Sequence, residues 1–234
     1  MPMTTPKLWL VIPAAGAGKR MQSARPKQYL SLRGNTILDL AISCIADNLT
    51  LAGCIVAISP DDPWWFETKA SQDDRITRCN GGQERADSVL AGLESLEEQA
   101  DPDDWVLVHD AARPCLHPDD LNRLLTELAG HTVGGLLAAP VTDTLKKTGP
   151  DGPDVQATVD RTHLWRALTP QMFRYGILKS ALQASLSAGR PVTDESSAVE
   201  QSGYFPCIVE GRPDNIKVTV PADLALADFL LSRF

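Results

Sequence analysis

The first 38 residues of this chain contain no Asp or Glu. The same segment carries a local charge of +6, although the formal net charge of the whole protein is −8. The later residues hold 16 Lys and Arg against 30 Asp and Glu, so they sum to −14. Solvated surfaces usually mix both signs, and this separation therefore predicts that the N-terminal segment binds a polyanion. Its six cations are Lys7, Lys19, Arg20, Arg25, Lys27 and Arg33.

Three further absences exclude classes of protein. No apolar run reaches the roughly 18–20 residues of a membrane span, and the first residues, MPMTTPK, lack the regions of a signal peptide. The five cysteines are scattered and form no C-x-x-C or Cys/His cluster, which favours free thiols in a reducing compartment over a zinc site. The acidic balance argues against a general nucleic-acid binder. We therefore expect a soluble, cytoplasmic protein without nucleic-acid or membrane partners.

Short apolar runs alternate with segments of helical periodicity over most of the chain. This alternation predicts an α/β fold in a single domain over residues 1–234, with a mostly parallel sheet flanked by helices on both faces. Thr36, followed by Asp39 three residues later, predicts a helix N-cap. Residues 60–70 are predicted to form a short helix. The predicted strands are 8–13, 54–59, 75–79, 105–109, 134–141 and 206–210.

Ligands of such sheets bind at the carboxyl ends of the strands. The loops after Pro13, Cys79 and His109 should therefore line one pocket. Residues 142–169 break the α/β rhythm, because they are polar and contain the turn-forming sequence GPDGP. They are predicted to form a two-stranded arm. An isolated hairpin is only marginally stable, so we expect the arm to lie against another surface, such as a second subunit.

A small-residue loop, Gly16-Ala17-Gly18, follows the first predicted strand. A dinucleotide fingerprint would need glycine where Met21 stands, and a Walker A loop would need Gly and Ser or Thr where Pro13 and Arg20 stand. Both patterns therefore fail. Two interpretations remain open on the residues alone. The loop and its own Lys and Arg bind phosphates, or the loop is a tight turn beside a solvated basic face.

Two more segments fall at the predicted pocket. In VHDAARP, Asp110 offers a hard oxygen ligand for Mg²⁺, or is a turn former, and Arg113 can bind a phosphate or hydroxyl. His109 is predicted to be a core histidine with satisfied hydrogen bonds rather than a ligand. In GGQERADS, Gly81 and Gly82 permit close approach to a flat base, or mark a strand-to-helix turn.

Eight motifs run in order over nearly the whole chain: PAAGAGKRM, RPKQYL, GGQERADSV, VHDAARP, PVTDTLK, DRTHLWRALTPQMF, TDESSAVE and NIKVT. Together they resemble the 2-C-methyl-D-erythritol 4-phosphate cytidylyltransferase family of the nonmevalonate isoprenoid pathway. The resemblance implies a Rossmann-like nucleotidyltransferase fold and a homodimer in which each arm reaches over the other subunit's active site. It also implies transfer of a cytidylyl group from CTP to the methylerythritol phosphate, with Mg²⁺ and release of pyrophosphate.

The resemblance also implies residue roles. The catalytic cations on the triphosphate would be Arg20 and Lys27, and Asp110 would hold Mg²⁺. The CTP site would comprise Pro13, Ala14, Ala15, Gly16, Gly18, Gly82, Asp87, Ser88 and Ala111. The methylerythritol phosphate would be surrounded by Arg113, Thr144, Arg161, Thr169, Thr193 and Lys217, with Thr144 and Arg161 supplied by the partner's arm.

Two positions depart from the family pattern. Gln22 stands where many members have Gly, and Val220 stands where a polar or basic residue is common, which weakens the assignment near Lys217. The alternatives are a related nucleotidyltransferase with another acceptor, such as ribitol 5-phosphate, or another base, and a non-catalytic nucleotide-binding module. Lys7 and Arg33 are predicted to be surface residues without a chemical role.

Overall fold

The computed structural model describes residues 5–16, 25–150 and 152–233. Strands and helices alternate along most of this length. The strands are β1 Leu8–Pro13, β2 Ser31–Leu32, β3 Asn35–Thr36, β4 Gly53–Ile58, β5 Ile76–Asn80, β6 Trp105–Val108, β7 Gly134–Pro140, β8 Leu145–Thr148, β9 Val155–Val159, β10 Trp165–Arg174 and β11 Cys207–Glu210. The α-helices are α1 Ile37–Ala46, α2 Arg85–Glu94, α3 Pro118–Leu128, α4 Tyr175–Ser187, α5 Glu195–Gln201 and α6 Pro221–Leu231.

A seven-stranded sheet forms the centre of the described structure, in the order β11-β7-β10-β6-β1-β4-β5. β10 runs antiparallel to β6 and β7, whereas the other neighbouring pairs are parallel. β1 lies inside the sheet, where Val11 pairs with Ile55 of β4 and Val108 of β6. The predicted α/β fold with a mostly parallel sheet is confirmed.

Side chains of β1 alternate between two cores, one on each face of the sheet. Leu10 and Ile12 pack with residues of α1 and α3, whereas Trp9 and Val11 pack with residues of α2, α4 and α5. A strand that is buried on both faces reads as a continuous apolar run, which explains why LWLVIP was recognisable. Burial of each such side chain contributes about 1.5–3 kcal/mol to the stability of the fold. The strand therefore holds the start of the following loop in a fixed position.

The predicted N-cap at Thr36 is confirmed. Its Oγ1 accepts a hydrogen bond from the N–H of Asp39 at 3.0 Å, and the Asp39 carboxylate accepts one from the N–H of Thr36 at 3.3 Å. The predicted helix over 60–70 is wrong, because the segment forms two single 3-10 turns, Trp65–Glu67 and Ala70–Gln72. Asp62 accepts hydrogen bonds from the backbone N–H groups of Trp64 and Trp65, where the first turn begins, and such local bonds compete with a regular helix.

β10 has no counterpart among the predicted strands. Pro170 lies inside it, at the point where the pairing with β7 shifts between Ala167 and Gln171. A proline within an apolar run argues against a central strand, so the pattern concealed a strand that is paired on both sides. Residues 165–169 of the predicted arm belong to the central sheet.

The arm itself forms the predicted hairpin. β8 and β9 pair in antiparallel fashion, with Leu145 opposite Val159. The hairpin has little core of its own, since Leu145 and Val155 are 36% and 59% exposed. Its contact with a second subunit stays a prediction. Across the described ranges, no helix has both the length and the apolar character needed to span a bilayer.

Candidate active site

The three loops that were predicted to share a pocket meet at the carboxyl edge of the sheet. They follow β1, β5 and β6, and they line one cavity together with the turn at residues 27–28 and with Lys217. The predicted site residues among its lining are Pro13, Ala14, Ala15, Gly16, Lys27, Gly82, Ser88, Asp110, Ala111 and Lys217. The topology therefore brings most of the predicted nucleotide residues to one place.

The loop after β1 is held by hydrogen bonds from both sides. The N–H of Ala14 donates to the carbonyl of Ala57 at 2.7 Å. On the other side, Nε2 of Gln28 donates to the carbonyls of Ala14 and Gly16, at 2.7 and 3.2 Å. Gln28 is 3% exposed, so its amide is a fixed part of the floor of the loop. Gly18 and Arg20, with Lys19 between them, lie outside the described residues.

The loop after β5 packs directly against this first loop. A Cβ atom on Gly81 would lie 2.6 Å from Cβ of Ala15, a distance that real Cβ atoms do not reach, so glycine is required there. The N–H of Gly82 donates to Oγ of Ser88 at 3.2 Å. Asp87 caps helix α2, because its carboxylate accepts the N–H of Glu84 at 2.9 Å, and it does not line the cavity.

Asp110 is the centre of a buried ionic cluster. Its Oδ1 lies 2.9 Å from Nε of Arg85, and its Oδ2 lies 2.9 Å from Nζ of Lys217 and 3.3 Å from Nε of Arg113. Arg85 also binds Glu195 with both terminal nitrogens, at 2.6 and 3.0 Å. The cluster therefore contains three cations and two carboxylates, and the excess positive charge faces the cavity through Lys217.

The cluster sets the charge states of its members. Burial alone raises the pKa of Asp110, but the charges of Arg85, Lys217 and Arg113 outweigh it and hold the pKa well below the usual range. Burial likewise lowers the pKa of Arg85, but its pairing with Glu195 and Asp110 more than reverses this effect. Both shifts favour the charged form, so Asp110 is a carboxylate and Arg85 a cation at neutral pH.

His109 and Thr169 lie beneath Asp110 in a closed chain of hydrogen bonds. Nε2 of His109 lies 2.9 Å from the carbonyl of Arg113, which can only accept, so Nε2 carries the proton. Nδ1 then accepts from the hydroxyl of Thr169 at 2.9 Å, and the same oxygen accepts the N–H of Asp110 at 3.1 Å. Burial lowers the pKa of His109 to about 4. The prediction of a core histidine with satisfied hydrogen bonds is confirmed.

The cations of the acid-free N-terminal segment differ in their distance from the cavity. Nζ of Lys27 lies at the cavity and donates to the carbonyl of Val218 at 3.0 Å. Arg25 pairs with Glu67 and stacks on the ring of Trp64 at 4.2 Å. Lys7 and Arg33 are exposed. Of the described cations of this segment, Lys27 thus lies where a bound polyanion can meet it.

Several predicted acceptor residues do not line the cavity. Arg113 donates to the carbonyl of Asn215 at 2.7 Å beside Asp110, and Thr169 is buried beneath it. Thr193 is an exposed residue whose N–H binds Ser197 ahead of α5. Thr144 and Arg161 are exposed residues at the base of the arm, where Arg161 binds the carbonyl of Thr142.

Sequence reasoning missed three residues that shape the site: Arg85, Glu195 and Gln28. Arg85 and Glu195 lie 110 positions apart, so no local pattern pairs them. Glu195 is 1% exposed, and a buried acid needs a cationic partner, but this burial becomes visible only in the structure. Gln28 follows Lys27 directly, and nothing in its type marks it as a loop anchor.

The donor set around Asp110 fits a magnesium ion that arrives with phosphates. An ionised carboxylate has about four acceptor positions, and Asp110 uses one at Oδ1 and two at Oδ2, which leaves Oδ1 able to accept one more ligand. Mg²⁺ commonly uses one or two carboxylates plus substrate phosphates. Throughout the described part of the chain, no three His, Cys, Asp or Glu residues are grouped to hold a metal by themselves.

A mostly parallel sheet with a glycine loop and a cationic cluster at its carboxyl edge defines the class, a nucleotidyltransferase fold. The chain belongs to the 2-C-methyl-D-erythritol 4-phosphate cytidylyltransferase family, whose family model matches residues 8–233. A protein of that name from Pseudomonas entomophila (strain L48) is 57% identical over 225 residues, or 95% of each chain.

Solved structures agree with this membership. A crystal structure of 4-diphosphocytidyl-2C-methyl-D-erythritol synthase is 35% identical to this chain, with a TM-score of 0.84, and the match covers 98% of this chain and 100% of that one. The Francisella tularensis 2-C-methyl-D-erythritol 4-phosphate cytidylyltransferase is 37% identical, with a TM-score of 0.81, over 96% of this chain and 99% of that one.

Proposed function

We infer that this chain is an enzyme of nonmevalonate isoprenoid biosynthesis that transfers the cytidylyl group of CTP to 2-C-methyl-D-erythritol 4-phosphate. The products are 4-diphosphocytidyl-2-C-methyl-D-erythritol and pyrophosphate. The observation that carries this inference is the Asp110 cluster, which faces the glycine loop across one cavity. Family membership supplies the identity of the two substrates.

The proposed place of CTP follows from the loops. Its triphosphate lies against Ala14–Gly16 and Gly18, with Arg20 and Lys27 as the cations that contact it. The base and ribose lie between Pro13, Ala111 and the segment of Gly82, Asp87 and Ser88. For the described residues other than Asp87, this arrangement is supported by the cavity that the loops share, because loop N–H groups and nearby cations together form an anion site.

The proposed place of the acceptor phosphate is beside Lys217 and Arg113, with Thr169 and Thr193 near it. Thr144 and Arg161 of the partner's arm complete this side. Their exposed position on a hairpin with little core of its own supports an arm that reaches another subunit. The homodimer is therefore part of the proposal. The five cysteines are free thiols, which supports a reducing, cytoplasmic location.

In the proposed reaction, an oxygen of the acceptor phosphate forms a bond to the α-phosphorus of CTP. The bond from that phosphorus to the bridging oxygen of the β-phosphate breaks, and its electron pair leaves on pyrophosphate. Two anions must approach, and charge then builds on the oxygens around the α-phosphorus. Fixed cations in the cavity reduce the repulsion between the two anions and stabilise the charge that develops in the transition state. Among the described residues, these cations are Lys27 and Lys217.

No general base is required, because the acceptor phosphate is already ionised at neutral pH. The described histidine nearest to this chemistry cannot act as one, since both ring nitrogens of His109 are engaged and its pKa is lowered to about 4. Mg²⁺ would be held by Asp110 and by phosphate oxygens, and it would supply neutralisation of the triphosphate charge.

The test is pyrophosphate release from the purified protein with CTP, Mg²⁺ and one acceptor at a time. We expect release with methylerythritol phosphate and little with ribitol 5-phosphate. Replacing CTP by ATP, GTP or UTP should abolish release. Preferred use of ribitol 5-phosphate would assign the chain to the other polyol branch. Absence of release with every pair would favour a nucleotide-binding module without catalysis.

A further inference from the structure

Gln28 occupies a position between the two catalytic segments of the proposed site. It immediately follows Lys27 in the 3-10 turn Lys27–Tyr29. Its side chain is buried at 3% exposure and extends to the glycine loop, where Nε2 donates to two carbonyls. Carbonyls only accept hydrogen bonds, so the amide nitrogen must face them. One side chain thus joins the loop after β1 to the turn that carries Lys27.

The hydrogen bonds of Gln28 also fix the direction of the neighbouring N–H groups. A trans peptide group is planar, and its C=O and N–H point in opposite directions. The carbonyl of Ala14 points toward Gln28, so the N–H of Ala15 in the same peptide group points away from it. Ala15 lines the cavity. The N–H of Ala14 belongs to the preceding peptide group, which is held separately by the carbonyl of Ala57 at 2.7 Å.

The electrostatic consequence concerns a bound polyanion. A carbonyl oxygen that faced a bound phosphate would repel it, whereas a backbone N–H that faces the phosphate attracts it. Gln28 satisfies both carbonyls without adding charge. A carboxylate of the same size would repel the carbonyls and the phosphates, and an apolar side chain would leave the carbonyl of the buried residue Ala14 without this donor, which is costly.

We propose that Gln28 is a positioning residue for the nucleotide triphosphate, acting through the Ala14 and Gly16 carbonyls whose direction it fixes. The proposal rests on the proposed function, because it assigns the triphosphate to this loop. Among the described residues, the side-chain hydrogen bonds of Gln28 go to the glycine loop and not to Lys217 or Arg113 on the acceptor side. Its loss should therefore weaken the interaction with CTP and leave the interaction with methylerythritol phosphate unchanged.

The test compares Gln28→Met with Gln72→Met in the full chain. Gln72 is the matched control, because it is an exposed glutamine in another 3-10 turn, Ala70–Gln72. For Gln28→Met we expect the KM for CTP to rise about tenfold, the loss typical of one or two hydrogen bonds, and the KM for methylerythritol phosphate to stay within about twofold. The control should keep both values.

A second variant covers the case in which Gln28→Met does not fold. Gln28→Asn keeps the donor on a shorter side chain that cannot span both carbonyls, so its KM for CTP should rise by about three- to tenfold over the unaltered protein while the KM for methylerythritol phosphate stays within about twofold. A purely structural role predicts a lower melting temperature with an unchanged KM for CTP, or equal rises in both KM values. Either result overturns the proposal.

The dissociation constant of CTP, measured by titration calorimetry, separates this proposal from the proposed function. If the unaltered protein binds CTP but releases no pyrophosphate with any acceptor, the proposed function fails while the positioning role remains testable. Weaker CTP binding by Gln28→Met then supports it. An unchanged dissociation constant overturns it, whatever the acceptor proves to be.

Discussion

The Arg85–Glu195 pair gives the most quantitative expectation from this structure. Glu195 is 1% exposed, and both of its oxygens bind the guanidinium of Arg85. Arg85→Met removes the cation and leaves the carboxylate buried without a partner. Removing one member of a buried ion pair costs about 3–5 kcal/mol. We expect a loss near the lower end, about 3 kcal/mol, because the Arg85 side chain itself is 28% exposed.

A double-mutant cycle isolates this pair. Glu195→Gln in the Arg85→Met background removes the buried charge, so the double variant should regain about 1–2 kcal/mol of the lost stability. The free energy of unfolding is measured by urea denaturation at pH 7. The exposed Arg75–Asp73 pair provides the control cycle. Its partners are similarly close at 2.6 Å, yet exposed pairs contribute little, so no coupling should be resolved there.

Activity should separate from stability in the same variants. Arg85 also donates to Oδ1 of Asp110 at 2.9 Å, so the double variant should remain impaired in kcat/KM although its fold is partly rescued. Two results would refute the reasoning. One is a loss of stability in Arg85→Met no larger than that of Arg75→Met. The other is strict additivity of Arg85→Met and Glu195→Gln.

Three further expectations concern catalysis, assembly and pH. Lys27→Met and Arg20→Met should each lower kcat on the order of 10²–10³, and near-normal turnover in steady-state assays would sink these assignments. Mixing inactive Arg161→Ala chains with inactive Lys27→Met chains should restore some pyrophosphate release, and mixed dimers that form but stay inactive would show that the arm does not cross. Burial lowers the pKa of His109 from its ordinary 6.5 to about 4 in the folded state, so the unfolded chain binds the extra proton between these values and stability is lost as pH falls through this window. From pH 7 to pH 5 this loss should be about 2 kcal/mol in urea denaturation; His109→Gln should lack it, the exposed His163→Gln should keep it, and equal pH profiles would contradict the argument.

The local patterns were sufficient for most of the fold. β1 was readable because LWLVIP is buried on both faces, and the start of α1 was readable because Thr36 and Asp39 cap each other. β10 was not, because Pro170 interrupts its pattern at an irregular point of the pairing. At residues 60–70 the pattern predicted a helix that the structure does not contain, because the hydrogen bonds to Asp62 override the helical composition of the segment.

The site was predictable where its residues follow strands and obscure where it depends on distant pairs. Topology alone places the loops after β1, β5 and β6 together, and these loops carry Gly82 and Asp110. The partner of Asp110, Arg85, was within a recognised motif but had no assigned role, and Glu195 reaches it only after the chain has folded. The direction in which Gln28 points likewise cannot be read from its identity.

The central claim is that this cavity joins the α-phosphorus of CTP to a methylerythritol phosphate. The most direct measurement uses CTP labelled at the α-phosphorus, with Mg²⁺, methylerythritol phosphate and the unaltered protein, followed by separation and mass analysis of the products. The label should move to 4-diphosphocytidyl-2-C-methyl-D-erythritol in step with the release of one pyrophosphate per transfer. Label that stays in CTP, or that moves to ribitol 5-phosphate in preference when both acceptors compete, would contradict the claim.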